Sequence, residues 1–309
     1  MMQINSILRQ NELYTNSSES NKQNLTAPNN SSSKEHNGVE YVKSETTNFS
    51  NYSNINSARV NATSSTSDTG RKAKQALKNL GFYSGPDDSN LSTSDAQKAI
   101  RNFQKVYGLS VTGTADNNTL IKLDVASNYK SKAAQALQNS SIPSQFYMDY
   151  YEKENFARTW AFLRVGMGLN DAQASGVLGN IKAESNFSSD NAQGLSGAHN
   201  PDYKYNIKDG KGYGIMQWTA EPRKNGLLQA SYNLSSSVSD INVQLLYMRI
   251  ESNTTYKSKW DTIKTLKDVN SVSDYFLKEI ESPRTLNYTE RQSYSNTIYN
   301  VMSKINYFT

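Results

Sequence analysis

A mainly α-helical chain built in successive parts is what this sequence predicts, and three observations carry that prediction. Apolar residues recur at helical spacing in Ala73, Leu77 and Leu80, in Ala96, Ile100, Phe103 and Tyr107, and in Phe156, Trp160, Leu163 and Met167. Gly81 and Gly108 stand just past the first two runs, where helices commonly end. The opening of the chain has no sustained period: from Asn16 to Asp68 it is dominated by Ser, Asn and Thr, as in "NNSSSKEHNG". Such a stretch cannot bury enough apolar surface to offset its chain entropy, so residues 1–69 are expected to be a disordered tail.

The elements follow in order. Residues 70–125 are expected to form a three-helix bundle: "RKAKQALKNLGFYSG", then "STSDAQKAIRNFQKVYGLS" with Ser or Asp to cap its start, then a short helix holding Leu120 and Leu123. Residues 126–150 contain the Lys/Ser/Gln-rich "ASNYKSKAAQALQNSSIPSQ", which can be helical in its middle and is broken by Pro143, and are expected to be a linker. Residues 151–307 are expected to form a larger domain. It opens with the Phe156–Met167 helix, and in "NDAQASGVLGNIKAESNF" Asn170 and Gln173 have the spacing of a capping box at the start of the next. The Gly-rich "GKGYGIMQWT", Gly210 to Thr219, is expected to be a small β-hairpin or loop element.

Composition narrows the chemistry. The chain has 309 residues, a formal net charge of +5 and no cysteine, so disulfides, thiolate metal sites and a Cys nucleophile are excluded. Met1 to Gly70 holds five Lys or Arg against six Asp or Glu, so the positive excess lies in the remainder. That suits an anionic polymer such as the bacterial wall with its teichoic acids. No Lys/Arg stripe or nucleic-acid motif is present, and nucleic acid is not expected as a partner. His36 and His199 are the only imidazoles, too few for a His-rich zinc site; no metal or organic cofactor is expected. No segment approaches the ~20 apolar residues of a membrane span, and "MMQINSILRQNELY" lacks the apolar stretch of a signal peptide.

The residue that invites a catalytic reading is Glu184. Val177 and Ile181 precede it by seven and three residues, so a continuous helix puts this carboxylate on their apolar side in the last turn. Poor solvation and the negative helix end both disfavour the charged form, and a raised pKa is expected. An acid protonated near neutral pH is what glycoside cleavage requires at the leaving oxygen. The bland alternative is a surface Glu at a frayed end, or one paired with Lys182 or another base. In the Gly-rich element, Gly214 allows close backbone approach, Gln217 offers donor and acceptor, and Tyr213 and Trp218 offer flat faces for sugars. A hairpin with buried aromatics fits the same residues equally well.

Two resemblances extend this reading. Gly70 to Asp124, through "LKNLGFYSG", "AIRNFQKVYGLSVTG" and "NTLIKL", resembles the three-helix peptidoglycan-binding module of wall hydrolases. The usual Asp-Gly turn is replaced here by "PDDSNLSTSD", and Tyr83 is an exposed-aromatic candidate for ligand contact. Phe156 to Asn300, through "SGVLGNI", "AESNF", "GYGIMQWT", "RKNGLLQ", "INVQLLYMRIES", "FLKEIESP" and "RQSYSNTIYN", resembles the phage tail lysozyme family. That resemblance implies a lysozyme-like α+β fold, Glu184 as catalytic acid, a glycan cleft lined by Tyr213, Gln217 and Trp218, and Arg223 as a structural or substrate contact. For a second carboxylate the sequence offers Asp190, Asp202, Asp209 or Glu281, and a one-acid mechanism needs none. His199 reads as an incidental loop histidine.

The expected function is therefore a peptidoglycan hydrolase cleaving between N-acetylmuramic acid and N-acetylglucosamine, extracellular or virion-associated, with peptidoglycan and phage tail or other particle proteins as partners. A lytic transglycosylase giving anhydro products is the nearer rival. A non-enzymatic wall-binding or tail structural protein is the rival of another class.

Overall fold

The computed structural model describes residues 66–139, 143, 146–283 and 285–307. The tail expected at 1–69 lies outside them except for its last four residues, which begin the first helix. Ten α-helices are present among the described residues: α1 (Thr66–Asn79), α2 (Ser94–Tyr107), α3 (Asn117–Asn139), α4 (Tyr150–Ala161), α5 (Asp171–Ser185), α6 (Glu221–Leu234), α7 (Ile241–Asn253), α8 (Lys257–Ile263), α9 (Val269–Phe276) and α10 (Tyr288–Met302). α4 and α9 each run on into a π-helical turn, Phe162–Gly166 and Leu277–Glu281. The expected β element is reduced to one antiparallel bridge, Ala192 with Tyr213.

The first three helices form where their apolar periods place them. Leu77, Leu80, Ile100 and Phe103 are buried, and Phe82 packs edge-on against Phe103 at 5.7 Å. Gly108 ends α2 with φ 68°, while its start is capped by Thr93, whose side chain accepts from the Ala96 N–H. Buried Gln104 ties α2 to the following turn: its carbonyl accepts from the Thr112 and Gly113 N–H groups, and its amide donates to Thr119 Oγ1 and Thr114 O. The unusual "PDDSNLSTSD" segment also has a structural use. Asp88 pairs at 2.6 Å with the wholly buried Lys74, and Asp87 at 2.7 Å with Lys78. A buried ammonium needs such a partner.

One expectation changes here. The stretch read as a linker from 126 is helical as far as Asn139, because α3 continues straight through it. Val125, Ala126, Tyr129, Ala133 and Leu137 form a buried stripe along that helix, hidden in the sequence by the Lys, Ser and Gln between them. Tyr129 stacks on Tyr307 at 3.9 Å, and Tyr307 accepts a hydrogen bond from Trp160 Nε1 at 2.8 Å. The core is thus continuous: Tyr107 of α2 meets Phe162 edge-on at 6.2 Å, and Asn102 Nδ2 and Lys105 Nζ donate to the Leu234 and Asn233 carbonyls.

α5 is the central helix of the larger part, buried on every side from Ala172 to Lys182. Its start carries the capping box the sequence predicts, with Asn170 and Gln173 each bonding the other's backbone N–H. Small residues then admit its neighbours. A Cβ on Gly176 would sit 2.6 Å from Val272 of α9, and one on Gly179 would sit 2.6 Å from the Ser295 backbone nitrogen of α10. That close approach sets the position of α10 beside the end of α5.

Candidate active site

Glu184 stands one residue before the end of α5, with a side chain 20% exposed. The helix stops abruptly because Asn186 and Phe187 take φ values of 54° and 64°. Asn tolerates that left-handed conformation, but for Phe it is strained by about 1–3 kcal/mol. Burial holds it: Phe187 packs edge-on to Phe156 at 5.0 Å, and its carbonyl accepts from Asn155 Nδ2 at 2.9 Å. The end of α5 is therefore fixed rather than frayed.

Lys182, the neighbouring base, turns away from Glu184. Its ammonium donates to the Tyr147 carbonyl at 2.7 Å and to Asn186 Oδ1, and burial pushes its pKa down to about 8. The base that meets Glu184 comes instead from α10. Arg291 Nη2 donates to Glu184 Oε1, and Arg291 Nε lies 3.4 Å from Glu281 Oε2. Glu281 is only 4% exposed, and its Oε1 is buried without a hydrogen-bond donor. Burial pushes the Glu281 carboxyl well above its ordinary 4.5; the neighbouring Glu184 charge adds to the rise, and Arg291 opposes it. The structure thus groups two carboxyls on one guanidinium, a half-open one in front of a buried one. Sequence reasoning placed the burial effect at Glu184 and had no signal for Arg291.

Of the remaining acidic candidates, Asp190 and Asp209 are engaged elsewhere. Asp190 Oδ1 meets His199 Nδ1 at 3.0 Å, while His199 Nε2 meets Asp149 Oδ2 at 2.9 Å. Burial disfavours the imidazolium, but the bonds to Asp190 and Asp149 outweigh it and raise the pKa above 6.5. The histidine read as incidental is a clasp between the cap of α4 and the loop after α5. The ligand atoms of Asp149, Glu152 and His199 lie within 4.8 Å of one another, but Glu152 accepts from the Asp149 N–H in a capping box and His199 uses both ring nitrogens. Asp209 receives Lys224 Nζ at 2.5 Å and the Tyr203 hydroxyl; burial raises its pKa, but these donors hold it at about 2. Asp202 is exposed.

The Gly-rich element is a tight turn closed by reciprocal backbone bonds between Tyr213 and Trp218. Gly214 with φ 73° and Gln217 with φ 46° make the reversal. Ser185 Oγ donates to the Ile215 carbonyl at 3.1 Å, so the turn lies against the residue next to Glu184. Gln217 is half-buried, its amide nitrogen donating to Gly214 O at 2.9 Å and Asn191 Oδ1 at 3.2 Å. The two aromatics do not offer open faces, which corrects the stacking role expected of them. Trp218 is wholly buried, donates to Glu251 Oε2 at 2.9 Å and packs on Tyr247, and Tyr213 is enclosed by Tyr203 and Tyr205. Arg223 is structural, with both Nε and Nη2 on Glu251.

Residues 154–302 match the model of the phage tail lysozyme family, and residues 67–123 match that of a peptidoglycan binding domain. No curated protein and no solved structure matches the chain. Glu184, Glu281 and Arg291 all fall within the first match, and Tyr83 within the second. A lysozyme-type domain preceded by a wall-binding domain supports a peptidoglycan-lytic function, with peptidoglycan as the partner. Among the described residues no helix is long and apolar enough to cross a membrane.

Proposed function

We propose that this chain is a glycosidase that cleaves the bond between N-acetylmuramic acid and N-acetylglucosamine, acting from a phage particle on the bacterial wall. Residues 151–307 are the catalytic part and 70–125 the wall-binding part. The observation that carries the reading is the cluster of half-open Glu184, buried Glu281 and bridging Arg291 at the rigid end of α5.

In this mechanism Glu184, the member of the pair open to solvent, gives its proton to the leaving sugar oxygen and then accepts one from the attacking water. Glu281 and Arg291 are positioning residues. Burial keeps the Glu281 carboxyl protonated above its ordinary range, and Arg291 bridges it to Glu184, so the cluster holds a proton behind the open acid. Gln217, half-buried, is the substrate-facing residue of the neighbouring turn, while Tyr213, Gly214 and Trp218 brace it from inside, Gly214 being buried against Gln244 rather than open to a ligand.

A second reading is favoured by one observation. Asp190 and Asp209 are tied to His199 and Lys224, and Glu281 is buried, so Glu184 is left as the open acid of the cluster. A one-acid site suits intramolecular attack by the sugar's own hydroxyl, the transglycosylase outcome. Mass spectrometry of the soluble products from purified peptidoglycan separates the two. Fragments with reducing muramic ends are expected; fragments lighter by one water would assign the transglycosylase, and reducing glucosamine ends would overturn the bond assignment.

A further inference from the structure

A cleft of about 730 Å³ runs between the first two helices and the larger part of the molecule. One wall carries Lys78, Tyr83 and Lys98, and the other carries Tyr151, Arg158 and the serine-rich Ser235–Asp240 turn. The walls are tied to each other: Asn242 Nδ2 donates to the Leu80 carbonyl and Asn102 Nδ2 to the Leu234 carbonyl, both at 3.0 Å. The cleft is therefore preformed, and a ligand entering it need not order the walls.

Its charges are mixed: Lys78 is paired with Asp87 at 2.7 Å, which leaves Lys98 and Arg158 beside Asp95 and Asp240. Lys98 is exposed and makes no ion pair among the described residues. The Arg158 guanidinium lies against Gly81, its nearest acid, Glu154, is 3.7 Å away, and its Nε is buried without a hydrogen-bond partner. Of the two acids lining the cleft, Asp240 is already engaged by the Asn242 N–H at 2.9 Å and Ser236 Oγ at 2.6 Å. Asp95 stays exposed in the first turn of α2. The cleft also backs onto the catalytic loop, because the Tyr151 hydroxyl meets Ser189 Oγ at 2.7 Å and Ser189 donates to the Ser239 carbonyl.

We propose that this cleft binds the peptide branch of the wall polymer, a short peptide carrying free carboxylates and an amine. The inference rests on the wall-hydrolase reading. A neutral glycan leaves these charges unused. A polyphosphate would use Lys98 and Arg158 but is repelled by Asp95, whereas Asp95 and the two cations together match a peptide bearing both signs. The Arg158 side chain, 25% exposed and lining the cleft, is the cation suited to a carboxylate. The volume is that of a small-ligand site, about 300–1,000 Å³, rather than of a groove for a long polymer.

The test uses the full-length Glu184→Gln protein, so that binding is measured without turnover. A synthetic stem tetrapeptide containing a diamino acid, the peptide-free disaccharide and a glycerol-phosphate oligomer are titrated separately by calorimetry. The peptide is expected to saturate, and Lys98→Glu in the same background to weaken it about tenfold, with an unchanged melting temperature because Lys98 is exposed. Absence of peptide saturation, peptide affinity unaffected by Lys98→Glu, or saturation by the phosphate oligomer alone would overturn the proposal. Failure of the catalytic reading is distinguishable: peptide binding by a protein whose wild type releases no wall fragments leaves the cleft assigned and removes the hydrolase.

Discussion

At the scale of single residues, the proposed mechanism turns on how Glu184, Glu281 and Arg291 share charge. Replacing Glu281 with Gln keeps its place and hydrogen-bonding atoms but removes the one buried group of the trio whose pKa is raised. The limb of the kcat/KM pH profile that reports Glu281 is expected to disappear in the Gln variant. A purely structural Glu281 would change the rate and leave the profile's shape as it is. Stability carries its own sign. Because the folded pKa of Glu281 is raised, wild-type stability falls as pH climbs from 4.5 through that folded value, and the Gln variant lacks this loss. Of this trio the sequence offered Glu184 as the acid and Glu281 as one of four second-carboxylate candidates, but gave Arg291 no role. Glu184 stood out by its place near the helix end, but Arg291 is 107 residues further on, and no local pattern links the two.

At the scale of elements, what is local was legible and what is tertiary was not. The Asn170 capping box and the Gly108 stop were readable because the cap chemistry lies within a few residues. A helix inside the 126–150 stretch was legible, but its continuity with the helix holding Leu120 and Leu123 was not, because the buried stripe uses Ala and Tyr among polar neighbours. Trp218 and Tyr213 suit a buried turn and a sugar platform equally well, and only packing decides between them. Helix proximity also gives a test of sign. On helix propensity alone Gly179→Ala would stabilise by about 1 kcal/mol. Against the α10 backbone it is expected to destabilise by about 1–3 kcal/mol and to displace Arg291 from Glu184, with activity falling. A melting temperature that rises would show that α5 and α10 are not held as close as described.

At the scale of the whole molecule, the first three helices and the larger part share one core through Tyr107, Phe162, Tyr129 and Tyr307. Sequence texture divided them, since composition changes between helices whatever packs across the change. Unfolding of the described part is expected as one cooperative calorimetric transition, with Tyr107→Ala lowering it as a whole. Two resolved transitions, only one of them sensitive to Tyr107, would separate the parts. The central claim is that this assembly exists to present the Glu184 carboxyl to a glycosidic bond. Its most direct test is release of soluble fragments from purified peptidoglycan by wild type and by Glu184→Gln at matched folded concentration. Loss of a general acid is expected to lower the rate by about 10²–10⁴-fold. A folded Glu184→Gln protein that releases fragments at the wild-type rate would contradict the account.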